Sequence, residues 1–427
     1  MLVYGIDFGT SNSIVGAADE TGLRGFVPLD PGAPDPSILR SLLYFPNSKQ
    51  VFFGSEAISE FTNHDLTGRF IRSIKKQLPS RSFVGTYVDN RPMNLEVLIG
   101  VFLGELRKRA NAHFGEDVKH VVLGRPARFS EDDADDLYAQ GRLEQAARLA
   151  GFTHIEFLAE PVAASMGYES ESREHSKNPV ILTVDYGGGT SDFTIYQLRG
   201  KSFQPSDVLA MGGVSIAGDA LDAALMRKRI SLHFGTGVKY QVPFGDNTLT
   251  MPKNLMERIC HPGEISLLRK QDTMEFLRNV QQWSLGAEDR AKMDRLFTLL
   301  EDQVGFSVFE QIEKTKRELS SATQTRFQFS YPGVEIAEDI TRLEFEDYAE
   351  DALQKLDREL EETLKRSGLE ASAIEQVLCT GGTARVPWIR NSLVRRFGAE
   401  KLMDLDPFRG VALGLSQRAH QVAQALN

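Results

Sequence analysis

Short apolar runs interrupted by glycine open the chain. From Leu2 to Gly16 an apolar strand leads into Asp7-Phe8-Gly9-Thr10-Ser11-Asn12 and then into a second apolar strand. The order returns from Val180 to Leu198: Ile181 to Val184, then Asp185-Tyr186-Gly187-Gly188-Gly189-Thr190-Ser191-Asp192, then Phe193 to Tyr196. Both stretches predict β-hairpins. Each ends its first strand on Asp and opens its second on Thr-Ser, so the second copy reads as carrying two extra glycines. The repeat predicts two related lobes, one starting at Met1 and one near Pro179, with polar Glu169 to Asn178 as the loop between them.

Between the hairpins, strands at Val118–Leu123 and Glu156–Leu158 alternate with helices. One spans Glu131 to Ala150, with Leu137, Leu143, Ala147 and Leu149 on one side, and another runs from Pro161 to Tyr168. Alternating strands and helices indicate an α/β architecture. After the second hairpin, Val214 to Met226 holds a turn and a helix. Arg227 to Ala287 is less regular, with a turn at Pro243–Asn247 and helical stretches around Leu267–Trp283. Leu296, Leu299, Leu300, Val304, Val308 and Ile312 predict an amphipathic helix over Glu288–Ser321. A strand at Phe327–Tyr331, a helix at Phe345–Arg366, a strand at Val377–Thr380 and helices at Pro387–Phe397 and Gly410–Leu426 complete the pattern.

Composition narrows the function classes. The 427 residues carry a formal net charge of -10, which argues against broad electrostatic binding to nucleic acid or an anionic membrane. The two cysteines, Cys260 and Cys379, are too far apart in sequence for zinc spacing. No apolar run approaches the roughly 20 residues that span a bilayer, and Met1 to Thr10 has no basic leader or cleavage site, so a cytoplasmic protein is expected.

The hairpins carry the chemistry. A glycine turn lets backbone N–H groups approach phosphate oxygens, and the hydroxyls of Thr10, Ser11 and Thr190 add donors. Asp7 and Asp185 would repel phosphates. A magnesium ion resolves the conflict, because it accepts oxygen ligands from carboxylates, water and phosphates together.

The chain resembles the ATPase half of the 70-kDa heat-shock chaperone family. Asp7 to Ser13 is similar to its first phosphate motif and Asp185 to Asp192 to its second. Leu158-Ala159-Glu160-Pro161-Val162-Ala163-Ala164 resembles the connecting segment, Glu313 to Ser321 the adenosine-binding helix, and Gly381-Gly382-Thr383-Ala384-Arg385-Val386-Pro387 the second adenosine loop. The resemblance implies an actin-like ATPase fold of the ribonuclease H-like class, with ATP or ADP and Mg2+ in a cleft between two lobes. It implies phosphate contacts from Gly9, Thr10, Ser11, Asn12, Gly187, Gly188, Gly189 and Thr190, and metal held mostly through water by Asp7 and Asp185. Glu160, Asp192 and Thr190 join a lysine as catalytic residues; Phe70 to Leu78 aligns Lys75 at the γ-phosphate, with Lys76 as the competing candidate. Glu160 precedes Pro161, which suits the first position of a helix, yet Glu is a poor cap, so a cleft role explains it better. Gly218, Glu313, Lys316, Arg317, Ser320, Gly381, Gly382, Thr383 and Arg385 are implied to hold the nucleoside. Spacing agrees in part: Glu313, Lys316, Arg317 and Ser320 share one helix face.

The resemblance assigns lobe I to residues 1–178 with 405–427 and an outer part at about 37–112. Lobe II takes 179–404, with an extended outer part at about 227–311. Three features depart from the family. Gly124-Arg125-Pro126 replaces the usual Val-Pro, and Ala134 stands where a relay arginine is expected. Asp406-Pro407-Phe408 places Phe where the family has Asp near the adenosine. The 227–311 stretch is longer than its counterpart, and is expected to block or replace the usual exchange factor. The chain stops at Asn427, so a protein without its own peptide-binding domain is expected, similar to short bacterial members of the family. The expected function is slow magnesium-dependent ATP hydrolysis driving lobe closure, read by an unidentified partner protein in a nucleotide-dependent way. A small-molecule kinase and a nucleotide-gated scaffold or filament are the alternatives.

Overall fold

A computed structural model describes residues 1–64, 67–89, 91–126, 128–130, 132–169, 178–197, 199, 207–243, 245–262, 264–302, 304–404 and 409–426. Most of the expected linker and Asp406-Pro407-Phe408 lie outside the described residues.

Two sheets carry one topology. In the first, β1 (Val3–Phe8) and β2 (Asn12–Asp19) form an antiparallel hairpin, and β3 (Gly22–Phe26) continues antiparallel beyond β2. On the other side of β1, β4 (His120–Arg125) and β5 (His154–Ala159) add in parallel. In the second, β6 (Val180–Tyr186) and β7 (Ser191–Gln197) form the hairpin and β8 (Val208–Val214) follows antiparallel. Beyond β6, β9 (Gln376–Thr380) and β10 (Leu402–Asp404) are parallel. The repeat legible in the hairpins therefore extends to whole sheets. Parallel additions need long crossovers, and these supply the helices that cover the sheet faces.

Six helices matter for the site: α1 (Leu95–Phe114), α2 (Asp133–Leu149), α3 (Glu160–Glu169), α4 (Gly218–Lys228), α5 (Gly305–Leu319) and α6 (Gly410–Ala425). Helices α3 and α6 join the two sheets. One buried cluster unites Val3, Ala18 and Val122 of the first sheet with Ile181, Tyr196 and Leu378 of the second, through Ala163 and Ala164 of α3 and Leu415 and Ala419 of α6. The helices cross at backbone contact: a Cβ on Gly414 would lie 1.7 Å from the Ala163 carbonyl oxygen. Helix α2 packs on α1.

The chain divides into two compact units. One holds both sheets: residues 1–217, 356–384 and 389–427. The other comprises 218–355 and 385–388. In the second unit α5 lies on a two-stranded sheet formed by Gln324–Tyr331 and Val334–Thr341.

Several sequence expectations shift. Leu137 and Leu149 are 68% and 57% exposed, whereas Ala139, Arg142, Leu143, Ala146 and Ala147 form the buried face of α2. Those five follow the i, i+3, i+4, i+7, i+8 row, with Leu137 on the opposite side. The helix expected over Glu288–Ser321 is two, Ala287–Glu301 and α5, the second starting at Gly305, which packs closely against the Ile265 side chain. The helix expected from Phe345 starts at Arg342, behind a Thr341–Glu344 capping box, and is interrupted at Ala349 between Arg342–Tyr348 and Glu350–Ser367.

Candidate active site

The hairpin loops set the frame. Gly9 N donates to Asn12 O at 3.0 Å, and Gly187 N donates to Thr190 O at 3.0 Å. Phe8 pairs with Ser13 and Tyr186 with Ser191. The two loops are therefore equal in length, and the second has no extra glycines. Gly188 and Gly189 take the places of Thr10 and Ser11, Thr190 stands at Asn12, and Asp192 stands at Ile14. The shared Thr-Ser pair shifts a letter-by-letter alignment by two positions; the strand register does not allow that shift. A Cβ at Gly9 would sit 2.3 Å from Asn12 O, so this turn admits only glycine.

Ser41, which sequence reasoning missed, fastens the first loop. Its hydroxyl donates to Gly9 O at 2.7 Å, its N–H donates to Ser11 O at 2.8 Å, and it lies 2.9 Å from the Ser13 hydroxyl. No spacing in the sequence marks a serine so far from the hairpin. In the second loop, Thr383 donates to Gly187 O at 3.0 Å, which brings one residue of the expected adenosine loop to the second hairpin. Gly381 has φ +81, and a Cβ there would lie 2.1 Å from Tyr186 O.

Lysines reach the hairpins from a tight turn. Ser73 adopts a left-handed conformation (φ 53) and starts the 3-10 turn Ile74–Gln77, which buries Ile74 and Lys75. Lys75 is 8% exposed and its Nζ donates to Glu160 Oε1 at 2.6 Å. The stem of Lys76 lies against Gly189, with Cε 1.4 Å from where a Cβ would be. Both candidate lysines thus approach the hairpins, Lys75 on Glu160 and Lys76 on the second loop. Glu160 is the first residue of α3 rather than a cap outside it, and its carboxylate turns to Lys75.

Asp7, Asp185 and Asp192 share one electrostatic environment. Burial raises the Asp7 carboxyl most, Glu160 and Asp185 add to the rise, and Lys75 opposes it; the result is about 8. Burial, then Glu160 and Asp192, push Asp185 up to about 7. Asp192 also reaches about 7 through burial and Glu160, against Lys75 and a hydrogen bond from Thr190. For Lys75, burial lowers the pKa, but Glu160 and Asp7 outweigh it and the net shift is upward. Among the described residues no three acidic, histidine or cysteine side chains form a chelating cluster. A magnesium ion, which keeps several waters and takes one or two carboxylates plus phosphate oxygens, fits this set of separated hard oxygens, which share one nearby lysine, Lys75.

The remaining expected nucleoside residues divide between the units. Gly381, Gly382 and Thr383 belong to the unit with both sheets; Gly218, Glu313, Lys316, Arg317, Ser320 and Arg385 belong to the other. There Lys316 Nζ donates to Asp222 Oδ2 at 2.8 Å and to Gly218 O at 3.2 Å, tying α5 to α4. Burial raises Asp222 to about 6, with Lys316 opposing and Glu313 assisting. Ser320 donates back to Lys316 O at 3.2 Å. Arg317 and Arg385 are exposed. Asp222, another residue sequence reasoning missed, sits in α4 among apolar neighbours where nothing in its spacing marks it.

Duplicated sheets, each with a glycine-closed hairpin and an aspartate near the end of its first strand, define an α/β class with an internal repeat. The profile of the Hsp70 protein family matches residues 56–242 and 295–424, and the chain belongs to that family. Its fold is accordingly the actin-like ATPase fold expected from the sequence. The chain is similar to the Chaperone protein DnaK of Thermosipho melanesiensis, at 23% identity over 424 residues, which are 98% of this chain and 59% of that protein. No helix among the described residues is long and apolar enough to cross a membrane.

Proposed function

We propose that the protein binds ATP with magnesium and hydrolyses it slowly, and that the hydrolytic state sets the closure of two lobes. The observation that carries this reading is the convergence of Asp7, Asp185 and Asp192 on the Lys75–Glu160 ion pair. Three carboxyls held above their ordinary range beside one buried cation suit a site that receives further positive charge. Kinship with a chaperone supports an ATP-linked role.

In this reading the N–H groups of both loops hold the β- and γ-phosphates, helped by Thr10, Ser11 and Thr190. Asp7 and Asp185 would hold a magnesium ion mostly through water, and the ion would supply neutralisation of phosphate charge. Lys75 neutralises a γ-phosphate oxygen, and Glu160 keeps the ammonium aimed. Asp192 accepts a hydrogen bond from the attacking water, whose oxygen bonds to phosphorus as the bond to the β-phosphate oxygen breaks, giving ADP and phosphate. Such transfer depends mainly on positioning and charge neutralisation. Glu313, Lys316, Arg317, Ser320, Gly218, Gly381, Gly382, Thr383 and Arg385 hold the nucleoside. Lobes at 1–178 with 405–427 and at 179–404 open and close around it, and a partner protein reads the difference as a chaperone-like switch.

Single-turnover hydrolysis with excess protein tests the assignment. Asp192→Asn and Lys75→Ala each slow it by at least about 10²-fold. Parent rates in both variants contradict the site.

A further inference from the structure

The turn that carries Lys75 is fastened by a residue outside the site. Arg142 lies on the buried face of α2 and is 4% exposed. Its Nε donates to Glu96 Oε1 at 2.5 Å, in the first turn of α1. Its two terminal nitrogens face the last residue of the lysine turn and the chain just after it: Ser80 O and Phe83 O at 3.1 Å, Gln77 O at 3.3 Å and Leu78 O at 3.4 Å. One guanidinium thus gathers four backbone carbonyls from seven consecutive residues and anchors them to two helices. Only arginine offers five donors in a fixed fork; lysine has three on a mobile stem. Arg81, in the same segment, adds a bond from Nε to Asp135 Oδ1 at 2.6 Å and lies 4.6 Å over the Tyr138 ring, again on α2.

The lysine turn needs such support. It starts at Ser73, a non-glycine residue with φ 53, a strained conformation that persists only when its surroundings enforce it. Burying Lys75 against Glu160 adds a desolvation cost. Leu78 N donates to Lys75 O at 3.1 Å and Ser80 N to Gln77 O at 3.2 Å, so the carbonyls that Arg142 holds are continuous with the turn.

We infer that Arg142 is a positioning residue for Lys75: by gathering the 77–83 carbonyls onto α1 and α2 it holds the lysine turn in place before any phosphate arrives. This rests on the proposed ATP site. Pre-placed groups act without reorganisation during reaction, so losing the fork costs rate through Lys75 alone.

The test is a double-mutant cycle in the full chain, with Arg142→Lys in the parent and in Lys75→Ala. Single-turnover ATP hydrolysis slows about tenfold on Arg142→Lys in the parent and less than about twofold in Lys75→Ala. In the nucleotide-free protein, amide hydrogen exchange at Leu78 and Ser80 speeds up at least about tenfold in Arg142→Lys, while amides of β1 and β6 keep parent rates. Equal slowing in both backgrounds, or unchanged exchange at Leu78 and Ser80, overturns the inference. If Arg142→Lys does not fold, Glu96→Gln loosens the same guanidinium and is read by the same cycle and the same limits. Absence of ATP hydrolysis by the parent counts against the proposed function instead, and the exchange measurement still decides whether Arg142 fixes the turn.

Discussion

Asp185 pairs directly with Asp192 across the second hairpin, at the position where Asp7 pairs with apolar Ile14 in the first. Like charges opposite one another in an antiparallel pair are destabilising. The duplicated sheets therefore differ at one informative place, where the second hairpin carries an extra acid. Asp192→Ile, which copies the first hairpin, is expected to stabilise the metal-free protein by about 1 kcal/mol at pH 8 while abolishing hydrolysis. Thermal melts with a chelator, alongside single-turnover assays, check it; a less stable variant contradicts the view that this pair is kept at the expense of stability.

The same acids give the metal-free protein a pH dependence with a definite sign. Asp185 and Asp192 titrate near 7 and Asp7 near 8 in the folded state, all above the ordinary carboxylate value. Between that value and these, the folded chain holds protons that the unfolded chain has released. Stability therefore falls as pH rises from about 5 to about 8. Chemical denaturation over this range with a chelator should show the decline, and magnesium should reduce it. A stability that rises steadily to pH 8 without metal contradicts the shifts.

The Lys75–Glu160 pair gives a further test. Removing one partner of a buried pair leaves the other uncompensated, at a cost of about 3 kcal/mol, whereas removing both costs less. Lys75→Met should be less stable than the Lys75→Met, Glu160→Gln double variant, because the single variant leaves Glu160 beside three other acids. A double variant that is the weaker of the two contradicts the pairing. Lys76→Met, which leaves that pair intact, should lower stability by less than about 1 kcal/mol.

Gly381 provides a backbone test. With φ +81 and Tyr186 O only 2.1 Å from a would-be Cβ, Gly381→Ala should cost more than about 2 kcal/mol. Gly115, also at positive φ (+71) but with open space around it, should cost about 1 kcal/mol on the same change. Equal melting shifts for the two variants contradict the close approach of the loop after β9 to β6.

Much of this was legible in the sequence because short-range patterns dictate it. Apolar runs ending in Asp and Gly mark both hairpins, and Pro387–Phe397 forms its predicted helix unchanged; the Lys75–Glu160 ion pair, between residues 85 apart, is a contact the motifs do not spell out. The failures share a cause: contacts between distant segments. Loop length in the second hairpin follows strand register, which the repeated Thr-Ser pair conceals. Ser41 and Arg142 act through backbone carbonyls 30 to 65 residues away, and a carbonyl leaves no trace in residue identity. Arg142 also breaks the rule that helix core positions are apolar, so periodicity alone assigns it to the surface. The strand Val334–Thr341 is hidden in the sequence because Glu335, Glu338 and Asp339 dilute its apolar content, although Val334, Ile336 and Ile340 line one buried face as a strand should.

Equilibrium dialysis of radiolabelled ATP against the full chain, with magnesium and with a chelator, is the most direct test of the central claim that both hairpins hold one metal–triphosphate. Saturable binding of one ATP per chain with magnesium, weakened at least about tenfold by the chelator and equally by Asp7→Asn and by Asp185→Asn, is the predicted result. Retention that ignores magnesium, or that survives either substitution unchanged, would contradict it.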